Sequence, residues 1–104
     1  MKIKLLSSAL EDLHNGRLFY DKQGDGLGEY FFDSLFSDID SLILYAGIHQ
    51  KVFGYHRMLA KRFPYAIYYK FDEDHTVTVW RVLDLRRNPK KIQESLGNLG
   101  GPDS

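Results

Sequence analysis

Apolar and polar residues alternate over residues 2–6, which is the pattern of a short strand with one buried face. Directly after it, Ser8 and Glu11 have the spacing of a capping box, in which each side chain bonds an unpaired backbone N–H at a helix start. The predicted helix runs to about residue 23. There the glycines of residues 24–26 allow the chain to turn, because glycine tolerates positive φ.

A second helix is predicted from Leu27 to Ile43. Apolar side chains return every three or four positions in this segment, and acidic residues occupy most of the remaining positions. Two helices joined by a short glycine-rich turn should pack as an antiparallel hairpin.

After Gly47 the pattern changes to period two, with aromatic and β-branched residues typical of strands. The polar residues 72–75 should close a tight hairpin between the last two strands. Pro64 lacks the N–H that a central ladder needs, so it is expected to open the strand that follows it. The predicted strands cover residues 54–61, 65–71 and 76–85.

Pro89 suits the first turn of a terminal helix that runs to about Leu96, because its missing N–H would be unpaired there in any case. Residues 97–104 show no periodicity and are predicted to form a flexible tail. The element order is therefore β-α-α-β-β-β-α. It predicts an α+β fold in which the N-terminal strand and the helical hairpin pack on an antiparallel sheet, as a single domain of residues 1–96.

Composition narrows the class of protein. The chain has 104 residues, 43% of them hydrophobic, and no cysteine, which suits one domain without a disulfide framework, a thiolate zinc site or a cysteine nucleophile. Residues 1–12 do not read as a signal peptide, and no apolar run approaches the roughly 18 residues that would span a bilayer. We expect a cytoplasmic protein that does not enter the membrane.

The formal net charge of zero hides an uneven distribution. Residues 1–46 carry four basic and eight acidic side chains, whereas residues 47–104 carry ten basic and six acidic ones. A focused basic patch is therefore compatible with overall neutrality.

Local motifs give little support for cofactor chemistry. Residues 21–26 are weakly similar to a calcium loop, but Phe32 stands where the bidentate Glu of such a loop is required, and a helix-to-helix turn is the stronger interpretation. The four histidines lack metal-ligand spacing, and neither a phosphate-binding Gly-Lys-Ser/Thr nor a Gly-x-Ser-x-Gly element occurs. We expect no metal, cofactor or small-molecule ligand.

The basic residues of the second half are interleaved with tyrosines and Trp80, and a solvated sheet face is the simplest interpretation. Strict alternation in the last strand complicates the interpretation as a solvated face. It places Arg81 on the same face as Val77, Val79 and Leu83. Val82 then lies with Trp80 on the other face. An arginine there should lie at an exposed strand end or pair with Asp84, Asp72 or a partner protein.

Two segments resemble a known family. Residues 57–70, with Phe63-Pro64-Tyr65, and residues 79–89, ending in Arg86-Arg87-Asn88-Pro89, are similar to the corresponding strands of the RelE/ParE superfamily of toxins. The Gly-Leu-Gly-Glu-x-Phe step of residues 26–31 also matches, and the resemblance extends to about Leu96.

The resemblance implies the toxin of a type II toxin–antitoxin module, neutralised by a cognate antitoxin protein. RelE-like members are ribosome-dependent mRNA endonucleases that use an arginine where this chain has Ala66 and often a tyrosine near the C-terminus, whereas no tyrosine follows Tyr69 here. The ParE-like branch, which acts on DNA gyrase by protein contact and is linked with plasmid stabilization, is therefore favoured. Asp84 departs from the histidine often found at its position in that branch.

Three hypotheses follow: a ParE-like gyrase inhibitor, a RelE-like endoribonuclease that needs the ribosome and mRNA, and a non-toxic binding protein with the toxin fold. In the second, cations would stabilise the charge on the phosphate, and His56 or His75 are the neutral-pH bases nearest to them in the sequence. The ribonuclease candidates are Arg57, Lys61, Arg81 and Arg87, and the target-binding candidates are Arg57, Lys61, Arg62, Arg81, Arg86 and Arg87.

Overall fold

A computed structural model describes residues 1–100 of the protein, and side chains through residue 97. Strands and helices succeed one another largely as the hydrophobic pattern predicts. They are β1 (Lys2–Leu5), α1 (Ser7–Asp21), α2 (Leu27–Asp40), α3 (Leu42–Tyr45), β2 (Lys51–Val52), β3 (Tyr55–Leu59), β4 (Tyr65–Phe71), β5 (Thr76–Asp84) and α4 (Pro89–Gly100).

The strands form one sheet in the order β1-β5-β4-β3-β2. Strands β2 to β5 pair antiparallel with their neighbours, whereas β1 lies parallel to β5, with Lys2 opposite Thr76 and Leu5 opposite Val79. The predicted α+β order β-α-α-β-β-β-α is confirmed, and the parallel edge strand makes the sheet mixed.

Each face of the sheet carries its own apolar cluster. On one face the helices α1, α2 and α3 bury side chains such as Leu13, Phe31 and Leu42 against Val77 and Val79. On the other face α4 buries two side chains against the sheet. The members of this second cluster are Tyr55, Ala66, Tyr68, Leu83, Ile92 and Leu96.

A bulge in β5 changes which face its side chains occupy. Tyr68 lies opposite Arg81 but Tyr69 lies opposite Val79, so Trp80 is one residue too many for the ladder. Beyond it Val82 belongs to the helix-side cluster and Leu83 to the α4-side cluster. The predicted face assignment for Val82 and Leu83 is therefore wrong, because it assumed unbroken alternation.

The turn between α1 and α2 is held by Asp21. Its carboxylate accepts a hydrogen bond from the N–H of Gly28 at 3.0 Å, in the first turn of α2, where backbone donors have no partner within the helix. Gly26 has φ of +82°, in the region that glycine favours. The polar turn segment thus has a clear structural part in the helical hairpin.

Some predicted boundaries are wrong. Helix α1 begins at Ser7 without a side-chain cap, so the predicted capping box of Ser8 and Glu11 does not form. The second helix stops at Asp40, and the separate α3 and the short β2 were not predicted. Helix α4 continues to Gly100, past the predicted end, and the remainder of the predicted tail, residues 101–104, lies outside the described residues.

Candidate functional site

Two side chains of α1 form hydrogen bonds with backbone groups of β5 beyond the point where β1 ends. The hydroxyl of Ser8 donates to the carbonyl of Trp80 at 2.7 Å, and the carboxylate of Asp12 accepts from the N–H of Val82 at 2.9 Å. Ser8 and Asp12 are one helical turn apart and so face the same strand edge. Helix α1 therefore satisfies backbone groups that a longer β1 would have paired.

Arg81 also binds Asp12. Its Nε lies 2.7 Å from Oδ2 and its Nη2 lies 2.8 Å from Oδ1, which is the bidentate arrangement. The two side chains are only 20% and 12% exposed, and the hydrogen bonds to Asp12 raise the pKa of Arg81. The partner is thus neither Asp84 nor Asp72 but an acidic residue of the helical hairpin, and the guanidinium is engaged inside the fold.

Arg86 forms a second bidentate pair at the end of β5, in a more exposed position. Its Nε and Nη2 donate to the two oxygens of Asp84 at 3.0 and 2.7 Å, and Nη2 also lies 3.3 Å from the hydroxyl of Tyr20. Burial alone would raise the pKa of Asp84, but the hydrogen bonds from Arg86 outweigh it and the pKa is lowered. The Arg86 side chain remains 52% exposed.

Arg87 lines a small notch of about 200 Å³ between α1 and the end of β5, together with Asp12, Tyr65 and Asp84. Burial, with the nearby charge of Asp84, raises the pKa of Tyr65 to about 12, so its hydroxyl stays protonated. No ion pair of Arg87 is found within residues 1–97. Its guanidinium is thus available to another molecule.

Four of the predicted cations lie at one end of the sheet. The N–H of Leu85 donates to the carbonyl of Pro64 at 2.8 Å, which holds the segment after β5 beside the loop between β3 and β4. All four residues are exposed. We call this surface the basic end; it consists of Lys61, Arg62, Arg86 and Arg87.

Arg57 lies away from the end of the sheet, in the middle of β3. It shares a row with Tyr68 of β4 and Arg81 of β5, because these residues are opposite one another in the ladders. The guanidinium groups of Arg57 and Arg81 do not converge on one site, since that of Arg81 is bound to Asp12. The six predicted site residues therefore divide into the basic end, the paired Arg81 and the separate Arg57.

Arg57 and Lys61 line a groove of about 550 Å³ beside α3 and β3. The N–H of Lys61 donates to the carboxylate of Asp38 at 3.1 Å, which fixes the loop after β3 to α2. Apolar and uncharged polar side chains and one histidine complete the walls. The other lining residues are Ser41, Tyr45, Ile48, His49, Gln50, Met58 and Leu59.

Tyr69 fixes the position of the segment that forms one wall of this groove. Its hydroxyl accepts from the N–H of Gly47 at 2.9 Å and is hydrogen-bonded to Nδ1 of His49. His56 stacks on the ring of Tyr69, and its Nδ1 donates to the carbonyl of His49 at 2.7 Å. The segment between α3 and β2 is thus held to the sheet by side chains from two strands. The other predicted base, His75, lies in the exposed turn between β4 and β5.

Burial and the neighbouring His56 lower the pKa of His49 below 6.5, so the folded state favours the neutral imidazole. In the unfolded chain the pKa returns to its ordinary value, and that state takes up the proton first as the pH falls. We expect the free energy of unfolding to decline between pH 7 and pH 5, and the decline to be smaller in His49→Gln. Urea unfolding at several pH values measures it; parallel declines in the two proteins would contradict the assignment.

The exposed apolar residues around this groove were missed by the sequence reasoning. Ile43, Leu44, Tyr45 and Ile48 each expose half or more of their surface. A usable signal existed, because an amphipathic helix buries one stripe and Leu42 alone fills that stripe in α3. Three apolar residues directly after it therefore point to a surface that another molecule covers.

Neither a metal centre nor a membrane-spanning helix is found among the described residues. Among them no group of three or more histidine, aspartate or glutamate side chains is placed to hold a metal ion. The described helices are also too short or too polar to cross a membrane.

The fold is an α+β arrangement in which a helical hairpin covers one face of a mixed five-stranded sheet and a terminal helix packs on the other. A solved structure with the same fold is a chain of the "Chromosomal ParDE TA system from P. aeruginosa", where TA denotes toxin–antitoxin. The TM-score is 0.68 at 15% sequence identity, and the match covers 82% of this chain and 96% of that one. No protein-family profile and no curated protein matches the sequence.

Proposed function

We propose that this chain is the toxin of a type II toxin–antitoxin module, that it inhibits growth in the ParE-like manner by binding DNA gyrase, and that a cognate antitoxin neutralises it. The observation that carries the proposal is the fold shared with a chain of a ParDE system over 82% of this chain and 96% of that one. The two sequence segments that resemble the superfamily support it. Their motifs Phe63-Pro64-Tyr65 and Arg86-Arg87-Asn88-Pro89 lie at the start of β4 and directly after β5, side by side at the basic end.

The arrangement of the cations favours binding over RNA cleavage. Cleavage requires several groups to converge on one phosphate. Of the four ribonuclease candidates, Arg81 is engaged by Asp12, Arg57 lies in the middle of β3, and Arg87 lines a different cavity from Lys61. A protein target needs only an exposed, complementary surface, which the basic end provides for an acidic partner.

Induced expression of the chain is the first test. We expect growth arrest, together with inhibition of gyrase supercoiling by micromolar purified protein. Unaffected supercoiling at that concentration would overturn the gyrase target. Cuts in the ribosomal A site, detected by primer extension on mRNA, would instead identify the endoribonuclease. Normal growth with a folded, expressed chain would identify the non-toxic binding protein.

Charge reversal at Arg87 tests the basic end. Because the Arg87 side chain is exposed and has no close ion pair among residues 1–97, only a weaker attraction to Asp84, Arg87→Glu should lower the melting temperature only slightly. We expect the concentration for half-inhibition of supercoiling to rise at least about tenfold, which corresponds to roughly 1.4 kcal/mol of binding energy.

Lys2→Glu is the matched control, because Lys2 is an exposed cation of β1 that lies opposite Thr76, at the other end of β5 from the basic end. Its inhibition curve should coincide with that of the wild type. Equal losses in both variants would mean that overall charge, rather than the basic end, determines the inhibition.

A further inference from the structure

Four aromatic rings follow one another across the end of the helical hairpin where α1 leads into α2. The ring centres of Phe19 and Tyr20 lie 5.1 Å apart, those of Tyr20 and Phe63 4.9 Å, and those of Phe63 and Tyr30 5.5 Å. Tyr20 and Phe63 pack partly against the core, whereas Phe19 is 45% and Tyr30 50% exposed. A single exposed ring is ordinary, but a contiguous row marks a surface that another molecule covers. We call this surface the aromatic row; it consists of Phe19, Tyr20, Tyr30 and Phe63.

The aromatic row is continuous with the basic end. The guanidinium carbon of Arg86 lies 5.8 Å from the ring centre of Phe19, and its Nη2 lies 3.3 Å from the hydroxyl of Tyr20. Arg62 directly precedes Phe63 in the chain and is exposed. Aromatic and arginine side chains are enriched among the residues that contribute most of the energy of protein interfaces. The rings and the cations therefore form one surface with the composition typical of a protein-binding site.

The positive charges beside the aromatic row lie on the side of the sheet. Lys61, Arg62 and Arg87 form no close ion pair within residues 1–97. On the side of the hairpin, the exposed Glu29 directly precedes Tyr30. A partner that presents carboxylates toward the sheet and an apolar side chain toward the rings would complement this surface.

The aromatic row is ordered before any partner arrives. Phe19 lies within α1 and Tyr30 within α2, so the backbone of both exposed rings is helical. Beside Phe19, the side chain of Arg86 is held by hydrogen bonds to both carboxylate oxygens of Asp84. A surface that is already ordered loses less conformational entropy when it binds. The exposed rings can therefore be covered at a small entropic cost.

We propose that Phe19 and Tyr30 are the apolar anchors through which this chain binds its protein target, a proposal that rests on the gyrase inhibition proposed above. The occupant is an acidic segment of the target with an apolar side chain at its centre. Its carboxylates face the basic end, which accelerates association, and its apolar side chain is buried against the aromatic row, which slows dissociation. A nucleic-acid strand fits less well. Its phosphates would meet the acidic hairpin, since residues 1–46 carry eight acidic and four basic side chains.

Removal of each exposed ring tests the anchors. Phe19→Ala and Tyr30→Ala should each raise the concentration for half-inhibition of gyrase supercoiling at least about tenfold. Tyr30→Phe keeps the ring and should inhibit as the wild type does. Phe53→Ala is the matched control, because Phe53 is 46% exposed but lies in the turn between β2 and β3, at the other end of the sheet. Circular dichroism verifies that each variant is folded, and either ring deletion alone decides if the other is not.

Binding kinetics separate a direct contact from a structural effect. On intact gyrase immobilised without DNA, Phe19→Ala should dissociate about tenfold faster than the wild type and associate equally fast. Arg87→Glu should instead associate more slowly, with a weaker dependence of that rate on salt. Tighter binding of the wild type to DNA alone than to gyrase would make a nucleic acid the occupant and overturn the proposal. A free chain that sediments as a dimer, dissociated by Phe19→Ala, would also overturn it, because the occupant would be a second copy.

The outcomes separate the role of the aromatic row from the proposed function. Equal inhibition of gyrase by the wild type, Phe19→Ala and Tyr30→Ala would leave a gyrase inhibitor that contacts its target through another surface. An equal loss in Phe53→Ala would likewise overturn the aromatic row as the binding surface. A wild type that neither binds nor inhibits gyrase would overturn the proposed function, and the anchors with it.

Discussion

Replacement of Asp12 by alanine should lower the free energy of unfolding by about 3 kcal/mol. The Arg81 guanidinium would remain largely shielded from water without its carboxylate, and the N–H of Val82 would lose its acceptor. Removing one partner of a buried pair is costly because the other charge is left uncompensated. Urea denaturation followed by circular dichroism measures the change, read from the midpoint at constant slope.

The control for this substitution is Asp84→Ala. It removes an aspartate that is also bidentate with an arginine, but that arginine is 52% exposed instead of 20%. Exposed pairs contribute little, so we expect a loss of at most about 1 kcal/mol. Equal losses in the two variants would show that burial does not decide the importance of the Asp12 pair.

Gly28→Ala should destabilise the protein by about 2 kcal/mol, even though alanine is the better helix former. A Cβ at this position would lie 2.2 Å from Oδ1 of Asp21 and 2.5 Å from the backbone carbonyl of Arg17. The carbonyl belongs to the interior of α1 and cannot move aside alone. The substitution would also displace the carboxylate that binds the N–H of Gly28.

Gly97→Ala serves as the control for the same substitution. Gly97 lies in α4, and among the described residues no atom lies within 4 Å of where its Cβ would be. We expect no loss and a gain of up to about 1 kcal/mol from helix propensity. A loss at Gly97 similar to that at Gly28 would mean that the close approach of α1 and α2 is not the cause. Thermal unfolding of both variants beside the wild type makes the comparison.

Much of the fold could be predicted because local rules decide it. Pro64 directly precedes β4 and Pro89 opens α4, as the missing N–H of proline requires. The bulge at Trp80 could not be predicted, since it depends on how β4 and β5 align and not on the residues of β5 alone. Ser8 is similar: its side chain could cap a helix, but the end of the neighbouring β1 gives it the carbonyl of Trp80 instead.

The sequence predicts which cations the candidate site contains but not which of them already have a partner within the fold. The sequence shows where cations are dense, and Arg62 and Arg87 are indeed exposed. It does not show which arginines are already bound, because Asp12 and Arg81 are 69 positions apart. The groove beside α3 and β3 was missed because its apolar residues lie on the four-residue α3 and the segments near it, where an excess of apolar residues, and not a period, is the signal.

The parallel pairing of β1 with β5 has a consequence for how the chain is made. Strands β2 to β5 pair with their immediate neighbours in sequence and can form soon after synthesis, whereas β1 and Asp12 must wait for residues 76–84. Closing so long a loop costs entropy before its contacts form, which slows folding. In a chain still on the ribosome, the acidic helical hairpin is therefore not yet packed against the strand that leads to the basic end. The two come together only after β5 has emerged.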